Sequence, residues 1–121
     1  MQGLYEIWTE VGSYYGVSKD VRSRINSHQY CLRRGKHHNW KLQQAWDDGY
    51  LFYFRVILAE DDLSLLGQLE TEYIDADENC LNLGSGYGVG LTAGPRHIPI
   101  DWDRVNSQAR EWQRIRSDEH F

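Results

Sequence analysis

The chain has 121 residues, of which 40% are hydrophobic and 13% aromatic, and its formal net charge at pH 7 is −5. This length predicts one globular domain that can bury a modest core without disulfides. No apolar run approaches the roughly 18 residues of a membrane span, and no secretory leader is visible at the N-terminus. Cys31 and Cys80 lack a metal-ligand spacing, so a reduced intracellular protein is the simplest interpretation.

The first part of the chain predicts a β-hairpin followed by a helix. Leu4–Trp8 and Ser13–Val17 are rich in aromatic and β-branched residues and flank a polar turn. Ser18 then offers an N-cap hydroxyl, and Asp20 lies in the first turn, where the helix dipole favours an anion. Apolar residues recur at helical spacing to about Leu32, after which two arginines and a glycine end the helix.

The middle of the chain predicts a second helix, a third strand and a third helix. Asn39 caps a short helix that runs to about Trp46, and Phe52–Leu58 alternates as a strand does. One face of that strand carries Phe52, Phe54, Val56 and Leu58. The other face carries Tyr53, Arg55 and Ile57. Asp61 or Asp62 caps the third helix. The buried face of this helix holds Leu65, Leu66, Leu69 and Tyr73.

Glycine is concentrated after residue 83. It predicts a flexible or tightly turned connector over Gly84–Pro99, and no phosphate-binding loop ending in Gly-Lys-Ser or Gly-Lys-Thr is present. Asp101 or Asp103 then caps a last helix, predicted over about Trp102–Asp118.

The order of these elements predicts the architecture. The series β-β-α-α-β-α implies a small mixed three-stranded sheet flanked by helices, in the α/β or α+β class. The main domain is accordingly placed at residues 1–83, and the connector with its C-terminal helix at 84–121.

Charge is distributed unevenly along the chain. From Val17 to Trp46 the formal charge is +6, whereas from Asp47 to Asn79 it is −9. Such a dipolar surface can present a basic face to phosphate groups in spite of the net negative charge. Ordinary solvated helix surfaces explain the same runs equally well. The basic side chains that would contact a nucleic-acid backbone are Lys19, Arg22, Arg33, Arg34, Lys36 and Lys41.

Five side chains have the chemistry that phosphodiester cleavage requires. Arg24 and His28 are four residues apart on one helix, so a phosphate-binding guanidinium shares a face with an imidazole that exchanges protons near neutral pH. Glu70 lies inside a leucine-rich helix, where a carboxylate is costly unless it is paired or holds a cation. A single carboxylate with water ligands suits Mg²⁺. Tyr5 and Tyr14 lie on adjacent strands of the hairpin, where their hydroxyls can converge.

Each of these features also has a purely structural explanation. Arg24 and His28 fit an exposed arginine and a partly buried histidine, Glu70 fits a boundary glutamate paired with a cation, and tyrosines commonly pack in hairpins. A phenol with a pKa of about 10 needs a nearby cation or a metal-bound water before it transfers protons at neutral pH. Glu72 turns away from Glu70 by roughly 200° around the helix and is expected to be solvated.

The order of these residues resembles the GIY-YIG nuclease family. Gly3–Tyr5 is similar to the first family motif with leucine for isoleucine, and Tyr14–Gly16 to the second with a central tyrosine. Further similar segments are Ser18 with Arg24–His28, Gly35–Asn39 through Trp46, the strand beginning Phe52-Tyr53-Phe54, the helix with Glu70, Tyr73 and Ile74, and Leu81-Asn82. The resemblance covers about two-thirds of the chain, from Gly3 to Asn82.

The resemblance implies a metal-dependent DNA endonuclease and a role for each of the five side chains. Glu70 would bind one divalent metal, Mg²⁺ or Mn²⁺, and Arg24 would steady the scissile phosphate. Tyr5, Tyr14 and His28 would share the proton transfers, and the general base is not assigned to either tyrosine. Residues expected to organise the site are Gly16, Ser18 and Asn82.

Two alternatives stay open beside this hypothesis. One is a non-catalytic nucleic-acid or protein-binding module on the same scaffold, which the net charge of −5 favours slightly. The other is the nuclease subunit of a DNA-repair complex. The leading hypothesis is a stand-alone phage or mobile-element enzyme of low or unknown sequence specificity, in the cytoplasm or nucleoid of a bacterial or phage-infected cell. A homodimer would supply two sites for cutting both strands, and the C-terminal helix is a candidate surface for a protein partner.

Overall fold

The computed structural model describes residues 1–83, 101–108 and 112–115, with the backbone alone for residues 106–108. In chain order the elements are β1 (Gly3–Thr9), β2 (Gly12–Ser18), α1 (Val21–Arg33), α2 (Trp40–Asp47), β3 (Phe52–Ala59), α3 (Leu63–Ala76), α4 (Trp102–Gln108) and β4 (Gln113–Ile115). In these ranges no helix is long and apolar enough to cross a membrane. The predicted connector at Gly84–Pro99 lies outside the described residues.

The sheet differs from the predicted one in strand number and direction. Among the described residues, four strands form one sheet in the order β2-β1-β3-β4, and each neighbouring pair is antiparallel. The prediction of a mixed three-stranded sheet is therefore wrong, whereas the α+β class is confirmed. The added strand β4 pairs with β3, whose backbone N–H and C=O groups would otherwise lie along an open edge.

The last predicted helix is wrong over its second half. α4 ends at Gln108, and residues 113–115, predicted as helix, form β4 instead. Ile115 pairs with Phe52 and is 2% exposed. Burial of this side chain against the sheet outweighs the helical spacing of apolar residues, because intrinsic helix preference is weak compared with tertiary packing.

Helix starts follow capping chemistry, with one correction. Asp20, rather than Ser18, is the N-cap of α1, and its carboxylate accepts a hydrogen bond from the N–H of Ser23. The reason is position, since Asp20 directly precedes the first helical residue and its side chain reaches the free N–H groups. The hydroxyl of Ser18 accepts from the N–H of Asp20 and so fixes the turn before the helix. Caps expected from the sequence are confirmed at Asn39, Asp62 and Asp101.

The core consists of two hydrophobic clusters that share the sheet. The first joins α1 and α2 to the sheet and contains Tyr5, Ile7, Val21, Ile25, Leu32, Leu42, Ala45, Phe52, Val56, Leu81 and Ile115. The second joins α3 and α4 to the sheet and contains Leu4, Tyr15, Ile57, Leu58, Leu66, Leu69 and Val105. Helices on both clusters therefore hold the hairpin from two directions.

A β-bulge lies beside Tyr5 and changes which residues share a face. Leu4 pairs with Leu58 but Tyr5 pairs with Val56, so Ile57 is an extra residue in β3. Leu58, predicted to lie on the same face as Val56, packs in the second cluster instead. A bulge inserts one residue into a strand and so reverses the alternation beyond it, which simple periodicity does not reveal.

Candidate active site

The hairpin brings Tyr5 and Tyr14 together on one side of the sheet. Tyr5 pairs with Gly16 and Tyr14 pairs with Ile7, so the two tyrosines occupy diagonal positions on adjacent strands. Their ring centroids are 6.5 Å apart. Tyr5 is 2% exposed, whereas Tyr14 is only partly buried. Of the two phenols, Tyr14 is therefore the more accessible to a ligand.

Gly16 makes room for the ring of Tyr5. A Cβ atom at this position would lie 2.5 Å from Cζ of Tyr5 and would also overlap its hydroxyl. The position of Tyr5 thus depends on the absence of a side chain on the neighbouring strand, which gives Gly16 a steric role at the site.

We expect Gly16→Ala to lower stability by about 1–3 kcal/mol, because the new methyl group forces the buried Tyr5 ring out of position. Urea denaturation measures this loss. The matched test is Tyr5→Leu, in whose background the same glycine substitution is expected to cost much less. Equal losses in both backgrounds would show that the clash with Tyr5 is not the cause.

His28 on α1 lies against both tyrosines. It is 3% exposed, and its Nε2 atom is 2.7 Å from the hydroxyl oxygen of Tyr5. Its ring meets the Tyr14 ring edge-on, with the centroids 5.2 Å apart. The helical stripe that buries Val21, Ile25 and Leu32 also carries His28, so packing of α1 on the sheet places the imidazole at the phenols.

A second histidine contacts His28 from the segment before α2. The Nδ1 atom of His28 is 2.6 Å from Nε2 of His37, and Nδ1 of His37 accepts a hydrogen bond of 3.0 Å from the N–H of Asn39. His37 is 8% exposed, whereas the adjacent His38 is exposed and stacks on it with a centroid distance of 4.5 Å. Tyr5, His28 and His37 therefore form one buried hydrogen-bonded line.

Burial controls the protonation of this line. It raises the pKa of Tyr5, an effect to which the neighbouring Tyr14 and Glu70 add and which Arg24 opposes. Burial also raises the pKa of Tyr14, helped by Glu70 and opposed by Arg24. Loss of solvation lowers the pKa of His28 to about 3, with His37 and Arg24 contributing. Both phenols and this imidazole are accordingly neutral at pH 7.

His37 behaves similarly, because burial and the neighbouring His38 lower its pKa to about 4. Two buried imidazoles that resist protonation link stability to pH. Above the unfolded pKa of about 6.5 both states are neutral and stability is complete. Below it the unfolded chain binds protons that the folded chain does not, so stability is lost as the pH falls toward the folded pKa values.

We therefore expect the free energy of unfolding to fall by roughly 2–3 kcal/mol between pH 7 and pH 5.5, a range in which ordinary carboxylates do not titrate. Urea denaturation at a series of pH values measures the change. His38→Ala, which removes only the exposed histidine, should retain the pH dependence. A free energy that stays flat over this range would show that His28 and His37 take up protons in the folded protein.

Arg24 and Glu70 place opposite charges beside the tyrosines. Both charges act on Tyr5 and on Tyr14, the guanidinium lowering the pKa of each phenol and the carboxylate raising it. Arg24 is exposed one turn before His28 on α1, and Glu70 is 4% exposed on α3. Glu72, two residues later, is exposed as expected. The structure thus brings the five side chains selected from the sequence together from the hairpin, α1 and α3, and they form the candidate site.

The donor set at Glu70 fits a hard divalent cation with a single protein ligand. Across the part of the chain that the structure describes, no three histidine, cysteine, aspartate or glutamate side chains are grouped so as to hold a metal. A closed zinc or calcium cage is therefore not built there. One buried carboxylate whose charge acts on two phenols suits Mg²⁺, which keeps most of its water ligands and accepts phosphate oxygens.

Asn82 supports the hairpin, whereas Ser18 fixes the turn before α1. The amide of Asn82 accepts from the N–H of Tyr15 and donates to its C=O, so it pairs with the outer edge of β2 like a strand residue. The hydroxyl of Tyr15, the central tyrosine of the second motif, donates a hydrogen bond to the carboxylate of Asp77. This bond supplies the partner that a buried phenol requires. These contacts hold β2, and with it Tyr14, in place.

The basic residues expected to contact nucleic acid lie mainly at the surface. Lys41 is partly buried, and the exposed members are Lys19, Arg22, Arg33, Arg34 and Lys36. Lys36 directly precedes His37, and the guanidinium of Arg34 lies 4.4 Å from the centre of the exposed Tyr30 ring. Their contact with DNA stays a prediction, as do the roles assigned to the five side chains of the candidate site.

Sequence reasoning missed the part that His37 takes in the site. His37 and His38 entered only as part of the segment Gly35–Asn39 in the family resemblance, and neither was given a role. A signal was present, because Asn39 was correctly predicted as a helix cap. That assignment fixes the backbone next to His37, but it does not reveal that the ring reaches His28.

Comparison with known proteins gives one family. Residues 1–82 match the family described as the GIY-YIG catalytic domain. No curated protein and no solved structure matches the chain.

Proposed function

The chain belongs to the GIY-YIG family, and from this premise we propose that it is a metal-dependent DNA endonuclease of low sequence specificity. Membership of this family by itself implies a nuclease-type function. One observation supports the finer proposal most strongly, namely that three separate segments bring the five side chains within reach of one another. His28 contacts both Tyr5 and Tyr14, and the charges of Arg24 and Glu70 shift the pKa of both phenols.

In the proposed reaction, each side chain has a task that its environment supports. Arg24 keeps its charge at any relevant pH and binds two phosphate oxygens with its forked donors. The hydroxyl of Tyr14, the more accessible phenol, orients a reacting oxygen. Tyr5 and His28 are buried and hydrogen-bonded to each other at 2.7 Å, and they exchange protons with the reacting oxygen.

Glu70, whose charge acts on both tyrosines, would hold the divalent metal, Mg²⁺ or Mn²⁺. When bound, such an ion supplies charge neutralisation at phosphate and lowers the pKa of a bound water. Burial raises the pKa of both phenols, so the protein alone does not favour a phenolate. This need for added positive charge supports a metal at Glu70.

DNA binding is proposed to use the basic segment that surrounds α1. Lys19, Arg22, Arg34 and Lys36 are exposed, and contacts from such side chains position the backbone without reading sequence. We place the protein where DNA is accessible, in the cytoplasm or nucleoid of a bacterial or phage-infected cell. Pairing of two copies is one route to cutting both strands.

The test is incubation of the purified protein with supercoiled plasmid and Mg²⁺ or Mn²⁺. We expect conversion to nicked or linear DNA that chelation of the metal stops. Retention of DNA in a gel shift without cleavage, under either metal, would instead identify a non-catalytic binding module. Mapping the cut ends on a long natural DNA then reports specificity and strand number.

A further inference from the structure

A hydrogen-bonded line runs from the backbone before α2 to the phenol of Tyr5. Its three contacts are 3.0 Å from the N–H of Asn39 to Nδ1 of His37, 2.6 Å from Nε2 of His37 to Nδ1 of His28, and 2.7 Å from Nε2 of His28 to the hydroxyl of Tyr5. None of these four residues is more than 8% exposed. The two imidazole planes differ by 16°, which suits a hydrogen bond in the plane of both rings.

The direction of the whole line follows from its first member. A backbone N–H can only donate, so Nδ1 of His37 accepts and the single proton of the neutral ring lies on Nε2. That proton is then donated to Nδ1 of His28. The proton of His28 must consequently lie on its own Nε2, from which it is donated to the oxygen of Tyr5.

We propose that His37 is a positioning residue, which holds His28 in the tautomer that donates a hydrogen bond from Nε2 to Tyr5. The low pKa values of both rings support it, because they keep each imidazole neutral at pH 7. The opposite direction would point a proton on Nδ1 of His37 at the N–H of Asn39.

His37 is itself held firmly enough to act in this way. Its N–H donates to the side chain of Gln43 at 3.0 Å, which ties it to α2. The following Asn39 caps α2 through its side-chain oxygen and donates from its amide to the C=O of Leu81 at 2.9 Å. The backbone donor that sets the tautomer is therefore fixed by a helix start and by a distant segment of the chain.

The consequence for the reaction rests on the proposed function. Tyr5 receives a hydrogen bond from His28, so its own proton is directed away from the imidazole. In the resting protein His28 is then a donor that would stabilise negative charge developing on Tyr5.

The proposal can be tested without any cleavage assay. Long-range proton–nitrogen correlation spectra of the ¹⁵N-labelled protein at pH 7 distinguish protonated from unprotonated ring nitrogens. We expect the proton on Nε2 in both His28 and His37. A proton on Nδ1 of His28 in the unsubstituted protein would overturn the proposal, whatever any variant does.

A substitution that replaces the hydrogen-bond donor with an acceptor tests the cause. In His37→Glu a carboxylate, which only accepts, replaces the donor, so His28 is expected to move its proton to Nδ1. His38→Glu adds the same charge at the exposed neighbour and is the matched control, which should leave the tautomer unchanged. In His37→Gln an amide can still donate, so the Nε2 tautomer is expected to persist. An unchanged tautomer in folded His37→Glu would refute the positioning role.

Cleavage adds an independent measurement. We expect His37→Glu to cut plasmid at least about tenfold more slowly than His38→Glu, because a wrong imidazole tautomer removes a correctly aimed hydrogen bond. Absence of all cleavage, together with the expected tautomer, would refute the endonuclease proposal and leave the assignment of His37 intact. Cleavage combined with a proton on Nδ1 of His28 would refute the assignment of His37 and leave the endonuclease proposal intact.

Discussion

Glu70→Gln is expected to reduce Mg²⁺-dependent plasmid cleavage by roughly a thousandfold, since the metal's contribution to phosphodiester hydrolysis is several kcal/mol. The substitution keeps the shape of the side chain and removes its charge. Glu70 is 4% exposed, so an amide occupies the same buried position without a new cavity. The folded structure should therefore survive, with the free energy of unfolding changed by about 1 kcal/mol or less.

Glu72→Gln is the control, because it makes the same chemical change at an exposed position on the same helix. It is expected to cut DNA at the unsubstituted rate. Titration of Mn²⁺ followed by calorimetry gives a measurement that does not depend on turnover, and binding should be lost only in Glu70→Gln. Full cleavage by this variant, with a normal circular dichroism spectrum, would remove Glu70 from the metal site.

The second large effect is expected for Arg24→Ala, with a loss of about 100- to 1,000-fold in the cleavage rate at saturating DNA. The guanidinium acts on both phenols and on His28, so it lies where charge develops on phosphate in the proposed reaction. Its side chain is exposed, so folding is expected to be unaffected. Single-turnover cleavage separates this loss from weaker binding.

Arg22→Ala provides the comparison, because Arg22 lies two residues earlier on the same helix and is also exposed. It is expected to weaken DNA binding and reduce its salt dependence, with little change in the rate at saturation. Arg24→Lys keeps the charge but loses the forked donors, so it should recover only part of the rate. If Arg22→Ala and Arg24→Ala have the same effect, Arg24 is a general DNA contact rather than part of the cleavage site.

Local sequence chemistry was sufficient for most of the elements. The hairpin, the first three helices and the caps at Asn39 and Asp62 follow from short-range patterns, because a cap or a turn depends on neighbours a few residues away. The family resemblance, confirmed over residues 1–82, selected the five side chains of the candidate site. Spacing alone left a structural explanation open for every one of them.

Tertiary contacts decided the rest. Gln113–Ile115 became a strand because the edge of β3 and the first core cluster accept Ile115, which helical spacing did not anticipate. The bulge at Ile57 came from pairing between distant strands, and it moved Leu58 to the second cluster.

The sequence by itself determined the order of the elements from β1 to α3, because these depend on residue type and short-range periodicity, and its resemblance to a known family selected the candidate site residues. Only the tertiary structure decided the protonation of these side chains and the direction of the hydrogen bonds between them. His37 reaches His28 across a turn and a helix boundary, and the backbone N–H of Asn39 sets the tautomer of both rings. Hydrogen-bond direction and burial are properties of the packed interior, where a single fixed donor orients every group that follows it.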